Sequence, residues 1–151
     1  MKADFEIKDQ QKIVMSLKKL PGKMFAGIMD VLIDISNDIR NEILTSMKST
    51  KRSSNFYMRG SKKHFSSEYG NPPAIDSGGL IGSIIVDVRK RNAQVEVGSE
   101  TGAPYAKYLE NAENKADPHK RERKFLQPAI DKQAAGIETK LLNAIQRAVK
   151  L

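Results

Sequence analysis

The residue types that most often bind metals or perform catalysis are scarce in this chain. It has no cysteine and only two histidines, His64 and His119. Asp117 lies two residues before His119, but a zinc site needs roughly three or four ligands, and no further cluster accompanies this pair. The sequence therefore predicts no metal and no other cofactor. The absence of cysteine also excludes disulfides and thiol nucleophiles.

Carboxylates recur at a regular spacing in the first third of the chain. Asp30, Asp34 and Asp38 are each four residues apart, which places them on one face of a helix. A solvated helix face explains this row more simply than acid–base or metal chemistry does. Gly78 and Gly79 precede a leucine rather than the Lys-Ser/Thr pair of a phosphate-binding loop. Since no nucleophile elbow or dinucleotide fingerprint occurs either, the sequence predicts that the protein is not an enzyme.

The strongest binding signal is a basic and aromatic segment within residues 48–75. Its cations and aromatic residues are Lys48, Lys51, Arg52, Arg59, Lys62, Lys63, Phe56, Tyr57 and Phe65. Such cations neutralise DNA phosphates without reading the sequence, and exposed aromatic side chains are also typical of protein interfaces. Three hypotheses therefore stay open. The segment faces DNA in a channel, contacts a partner protein, or is a solvated mobile loop.

Length and charge limit what the whole chain can be. Its 151 residues suffice for one domain with one core. Lys and Arg number 26 against 18 Asp and Glu, and the resulting net charge of +8 attracts polyanions. No apolar run approaches the roughly 20 residues that cross a bilayer, and the first residues lack a signal-peptide core. We expect a single domain over residues 1–151, made in the cytoplasm and not entering a membrane.

Apolar periodicity predicts the elements that must position these residues. The predicted order is a helix over 7–20, a helix over 23–47, a loop or arm over 48–75, strands over 84–88 and 94–97, a helix over 105–110, and a final helix from residue 125. Asp76 or Ser77 is expected to cap a short helical turn. Because two strands alone are marginally stable, we expect them to gain further strands from the arm or from a neighbouring subunit. Helices and a small antiparallel sheet in separate blocks indicate an α+β fold.

Three sequence blocks around the predicted hairpin resemble one family. They are Asp76-Ser77-Gly78-Gly79-Leu80-Ile81-Gly82-Ser83-Ile84, Tyr105-Ala106-Lys107-Tyr108-Leu109-Glu110 and Arg123-Lys124-Phe125-Leu126-Gln127-Pro128-Ala129. Their order and content resemble the tail-completion, or head–tail joining, proteins of long-tailed bacteriophages. The chain departs from this family at Asn111-Ala112, where Gly-Thr is usual. Structural or interface roles are implied for Asp76, Ser77, Gly78, Leu80, Tyr105, Tyr108, Glu110, Phe125, Leu126 and Pro128.

The resemblance implies an assembly role in the virion. It implies a small α+β subunit that forms a homo-oligomeric ring, commonly a hexamer, at the head–tail junction. Such a ring completes the tail and joins the tail tube or tail terminator to the head connector. DNA would pass through the lumen without sequence readout, and the basic arm, with Lys51, Arg52, Arg59, Lys62 and Lys63, would face that DNA or a partner.

Two expectations about individual residues and one about function remain open. From their residue types, Phe125 and Leu126 are expected to anchor the last helix in the core. Glu110 could pair with Arg121 or Arg123, within or between subunits. The alternative functions are a small basic nucleic-acid-binding module and a tail terminator or connector-side adaptor.

Overall fold

The computed structural model describes residues 21–68, 70–92, 94–99, 103, 105–111 and 123–149. Its elements are α1 (Gly22–Ser49), β1 (Arg52–Arg59), β2 (Lys62–Ser67), α2 (Gly79–Ser83), β3 (Ile84–Arg89), a 3₁₀ turn (Lys90–Asn92), β4 (Gln94–Ser99), α3 (Ala106–Asn111) and α4 (Leu126–Val149). The predicted α+β class is confirmed. The predicted helix over residues 7–20 and the Asp117–His119 pair lie outside the described residues.

The long helix α1 follows from one continuous apolar stripe. Its buried residues recur at helical spacing and include Ile35, Ile39, Ile43 and Met47, as the sequence predicts. The helix ends at Thr50, which turns to extended backbone and donates from both its backbone N–H and its hydroxyl to the Ser46 carbonyl. At 1.5 Å per residue, α1 is about 42 Å long and forms the spine of the fold.

The hairpin β3–β4 covers part of that stripe. Ile84 lies opposite Ser99 and Val86 opposite Val97, and because cross-strand partners share a face, the valines and Ile84 point the same way. Ile84 is only 1% exposed. The guanidinium Nε of Arg40 donates to the Ile84 carbonyl at 2.9 Å, which fixes β3 against α1. This face is therefore buried at Ile84, whereas Val88 at its other end is 37% exposed.

The last helix, α4, packs along α1 and closes the core. Leu126, Ala129 and Ile130 are buried, whereas Ile137 is half-buried and Ile145 is 46% exposed. The apolar stripe of α4 is thus buried at its start, packs against the core through the half-buried Ile137 and Leu141, and is exposed at Ile145. One hydrophobic cluster joins α1, α2, β3, α3 and α4. Across the helix pair, Lys132 donates to Glu42 at 2.6 Å and Lys140 pairs with Asp38.

The segment within residues 48–75 is not a structureless loop, so this part of the sequence prediction is wrong. Strands β1 and β2 pair antiparallel, with Arg59 opposite Lys62. The connection is therefore the two residues Gly60 and Ser61, and Gly60 has φ 63°, as the favoured hairpin turns require. We call residues 52–67 the basic hairpin.

The basic hairpin forms its own two-stranded sheet, separate from β3–β4. The expectation that the arm would add strands to the β3–β4 sheet is therefore wrong. Its extensive contacts are internal, whereas α1 packs against both α4 and β3–β4. Within the described ranges, no helix combines the length and apolar character that a membrane span requires.

Candidate binding cleft and basic hairpin

The two faces of the basic hairpin carry different side chains. One face carries Phe56, Met58, Lys63 and Phe65, and the other carries Tyr57, Arg59, Lys62 and His64. We call the first the outer face and the second the inner face. This division assigns the aromatic and basic residues predicted from sequence to two distinct surfaces.

The outer face is an exposed apolar surface with a cation upon it. Phe56 is 54% exposed and Met58 is 58% exposed. The Lys63 ammonium lies 3.7 Å from the centre of the Phe56 ring, and the Phe65 ring centre is 6.3 Å from that of Phe56. A cation this close to an aromatic face is attracted by the ring quadrupole. Exposed apolar side chains grouped in this way mark interaction surfaces.

The inner face is tied to the segment that precedes α2. His64 Nδ1 and Asp76 Oδ2 are 2.5 Å apart, and the Tyr57 ring stacks on the His64 ring at 5.5 Å. At the base of the hairpin, Arg52 Nη2 donates to the Ile75 carbonyl at 2.8 Å. These contacts orient a hairpin that otherwise packs mainly on itself.

The expected helix cap at Asp76 or Ser77 is wrong. The N-cap of α2 is Gly78, which has φ 81° and makes no side-chain capping bond. Gly78 supplies the left-handed backbone that turns the chain into α2. The Asp76 carboxylate instead bonds His64, so this motif residue anchors the basic hairpin.

A cleft of about 320 Å³ lies between the basic hairpin and the chain around α2. Its lining is Met47, Tyr57, Arg59, Phe65, Ser66, Ser67, Pro73, Ala74, Ile75, Asp76, Ser77, Gly78, Gly79, Leu80, Ile81, Tyr105, Leu109 and Arg123. The cleft thus brings two arm residues, Tyr57 and Arg59, together with Asp76, Ser77, Gly78, Leu80 and Tyr105 of the family-like blocks. The other predicted site residues, Lys51, Arg52, Phe56, Lys62, Lys63, Tyr108, Glu110, Phe125, Leu126 and Pro128, do not line it.

Several polar side chains in the cleft make no hydrogen bond to any described residue. They include the Arg59 guanidinium, the Tyr105 hydroxyl and the Ser67 hydroxyl. Ser67 is only 2% exposed, and its Oγ is buried without a partner in the described part of the chain. Sequence reasoning missed Ser67, because a serine in a Ser-rich segment gives no signal of burial.

Glu110 has a structural role that the sequence did not reveal. It is 6% exposed, and its carboxylate accepts the backbone N–H groups of Phe125, Leu126 and Gln127 at 2.9, 3.1 and 2.9 Å. The next residue, Pro128, has no N–H to satisfy. Glu110 therefore caps α4 from a distance, where a negative charge also favours the helix dipole. Phe125 and Leu126 are 2% and 3% exposed, which confirms them as core anchors.

The partners expected for Glu110 were arginines, and the structure gives it backbone donors instead. Arg121 lies outside the described residues. Arg123 approaches through its backbone, whose N–H donates to the Leu109 carbonyl at 2.8 Å. Tyr105 and Tyr108 are each 41% exposed, so neither is a core residue.

The acidic row on α1 is a solvated helix face. Asp30 and Asp34 are exposed, and Asp38 pairs with Lys140. Among the residues that the structure describes, no group of three or more His, Cys, Asp or Glu could hold a metal ion.

The chain was also compared with known proteins. No protein-family model, curated protein or solved structure matches it.

Proposed function

We propose that this chain is a structural, non-enzymatic virion subunit of a bacteriophage neck. In this role it completes the tail and joins it to the head connector. Copies of the chain form a ring, six in the arrangement that the sequence resemblance implies, and DNA passes through the lumen. Head-to-tail contacts between identical subunits close into a ring when the rotation between them allows it.

The observation that carries the proposal is the meeting of the three family-like blocks in one structural unit. Glu110 of the second block caps the helix that begins in the third. Tyr105 of the second block has its hydroxyl close to Gly79 of the first, 3.5 Å from where a Cβ on that glycine would lie. Blocks distant in sequence therefore lie against one another in the folded chain.

The basic hairpin supplies the contact that an assembly role needs. Of the three hypotheses for the arm, contact with a partner protein is favoured, because Phe56 and Met58 are more than half exposed on a paired strand. A solvated loop would not need an ordered hairpin held by Asp76. We assign the outer face to a neighbouring protein of the head–tail junction.

The proposal is tested by mixing the purified full chain with isolated phage tail tubes. The mass of the protein is measured alone and in the mixture, and the mixture is imaged by electron microscopy. Rings, or decoration confined to one tube end, are expected. A protein that stays monomeric and leaves both tube ends bare would contradict the neck role.

A small nucleic-acid-binding module is the second candidate, favoured by the cations of the basic hairpin. Arg59, Lys62 and Lys63 are exposed around the turn, beside the exposed ring of Phe56. Such a module would bind duplex DNA as an isolated monomer, with affinity that falls steeply as salt rises. A fluorescence titration with duplex DNA at two salt concentrations separates the candidates, since the neck subunit is expected to bind isolated DNA weakly.

A further inference from the structure

We propose that the cleft between the basic hairpin and the chain around α2 binds an extended peptide segment of a partner protein. The segment carries an aliphatic or aromatic side chain next to a carboxylate. The cleft shares Phe65 with the outer face but none of Phe56, Met58 or Lys63, and the inference holds whether or not the chain is a virion protein.

The apolar part of the cleft defines the first half of this ligand. Met47, Phe65, Leu80 and Leu109 line it, and its volume of about 320 Å³ is at the lower end of the roughly 300–1,000 Å³ typical of ligand sites. Met47 and Leu80 belong to the hydrophobic core cluster. An apolar side chain entering here would therefore rest on the hydrophobic core.

The polar groups of the cleft define the second half. Arg59, Tyr105 and Ser67 can all donate hydrogen bonds, and none of them has a described partner. The one carboxylate that lines the cleft, Asp76, is already bonded to His64. Hydrogen-bond donors without acceptors, grouped around an arginine, favour an anionic ligand. A guanidinium binds a carboxylate through two parallel hydrogen bonds.

The buried hydroxyl of Ser67 is the second, independent indication. A buried hydroxyl without a partner is unfavourable, and native structures contain few such groups. Ser67 lies at the end of β2, where the strand borders the cleft. A ligand oxygen placed there would satisfy the hydroxyl.

The backbone bordering the cleft favours a peptide over a small carboxylate. Residues 74–77 make no backbone–backbone hydrogen bond to any described residue, although they line the cleft. Apart from the Ile75 carbonyl, which accepts from Arg52, their N–H and C=O groups are therefore available to an extended strand, which gains affinity from main-chain bonds and specificity from side-chain pockets.

The test is a peptide selection against the full chain. A random library of peptides of about 12 residues is selected on the wild type, with Arg59→Glu for counter-selection, and enriched peptides are titrated by NMR. Lys62→Glu is the matched control, because Lys62 lies opposite Arg59 on the same face but does not line the cleft. Both variants change the net charge equally.

The expected result is enrichment of peptides that pair an apolar residue with Asp or Glu, with NMR shifts at cleft residues. Arg59→Glu should weaken their binding at least about tenfold, because a charged hydrogen bond is lost. Ser67→Ala should weaken it about threefold, and Lys62→Glu by less than about threefold. The proposal is overturned if no peptides are enriched, if enriched peptides lack a carboxylate, or if both charge reversals weaken binding equally. Equal loss together with binding to duplex DNA would identify a general polyanion surface instead.

Discussion

The body of the molecule and the basic hairpin are built on opposite principles. In the body, α1, α4 and β3–β4 bury their apolar side chains in one cluster, with Ile43 completely inaccessible. In the basic hairpin, Phe56 and Met58 are more than half exposed, and the strands contact mainly each other. The contrast indicates that stability resides in the body, whereas the hairpin leaves its apolar surface exposed.

The largest expected effect separates two phenylalanines, one in each region. Phe125→Ala removes a ring that is 2% exposed and should lower the free energy of unfolding by about 4 kcal/mol. Phe56→Ala removes a ring that is 54% exposed and should cost less than about 1 kcal/mol, from its cation and ring contacts. Urea denaturation of both variants measures the difference. Equal losses would show that the hairpin is part of the folding core.

The next effect concerns the distant cap of α4. Glu110→Ala leaves three backbone N–H groups without their acceptor and should cost about 2–3 kcal/mol. Glu138→Ala, at an exposed position of the same helix, is the control, and we expect it to stay within about 0.5 kcal/mol of the wild type. Thermal unfolding followed by circular dichroism compares them. If Glu110→Ala lowers stability as little as Glu138→Ala does, the cap does not contribute to the stability of α4.

A smaller effect, an increase in stability rather than a loss, is expected at the base of the hairpin. Ser67→Ala removes a buried hydroxyl that has no described partner, so the free protein should become more stable by up to about 1 kcal/mol. The unfolding midpoint in urea measures the change. Destabilisation would show that the hydroxyl is satisfied in the free protein and would weaken the argument that a ligand completes it.

The smallest effect is expected for an ion pair on the surface of the body. Lys132 is 65% exposed where it meets Glu42, so Lys132→Met should change the free energy of unfolding by less than about 0.5 kcal/mol, because solvent screens the pair. Unfolding curves at low and high salt measure it. If Lys132→Met lowers the free energy of unfolding by more than about 1 kcal/mol, surface ion pairs contribute stability that we attribute to the hydrophobic core.

The sequence predicts the secondary structure of the body better than that of the basic hairpin. The reason is that the body's elements carry periodic apolar patterns within themselves, whereas the hairpin's strands do not. The apolar stripe of α1 and the alternation of β3–β4 are periodic patterns that can be read within each element. The basic hairpin has few apolar residues, so its strands lack that alternation. Its one local signal is the Gly60-Ser61 turn between two aromatic stretches, which is typical of a hairpin.

The cleft and the cap of α4 could not be predicted, because both depend on contacts between distant residues. Glu110 meets N–H groups that begin 15 residues later in the chain. Asp76 looked like a helix cap from its local sequence, but His64 of the hairpin competes for its carboxylate. In both cases a contact formed on folding decides what a carboxylate binds, and local sequence does not contain that contact.

The most direct test of the division between body and hairpin is tail-tube binding by the double variant Phe56→Ser/Met58→Ser, with its stability measured on the same sample. If the outer face recognises the partner, decoration of the tube end is lost while the unfolding midpoint stays within a few degrees of the wild type. A variant that still decorates the tube end, or that loses decoration only because it unfolds, would contradict this division.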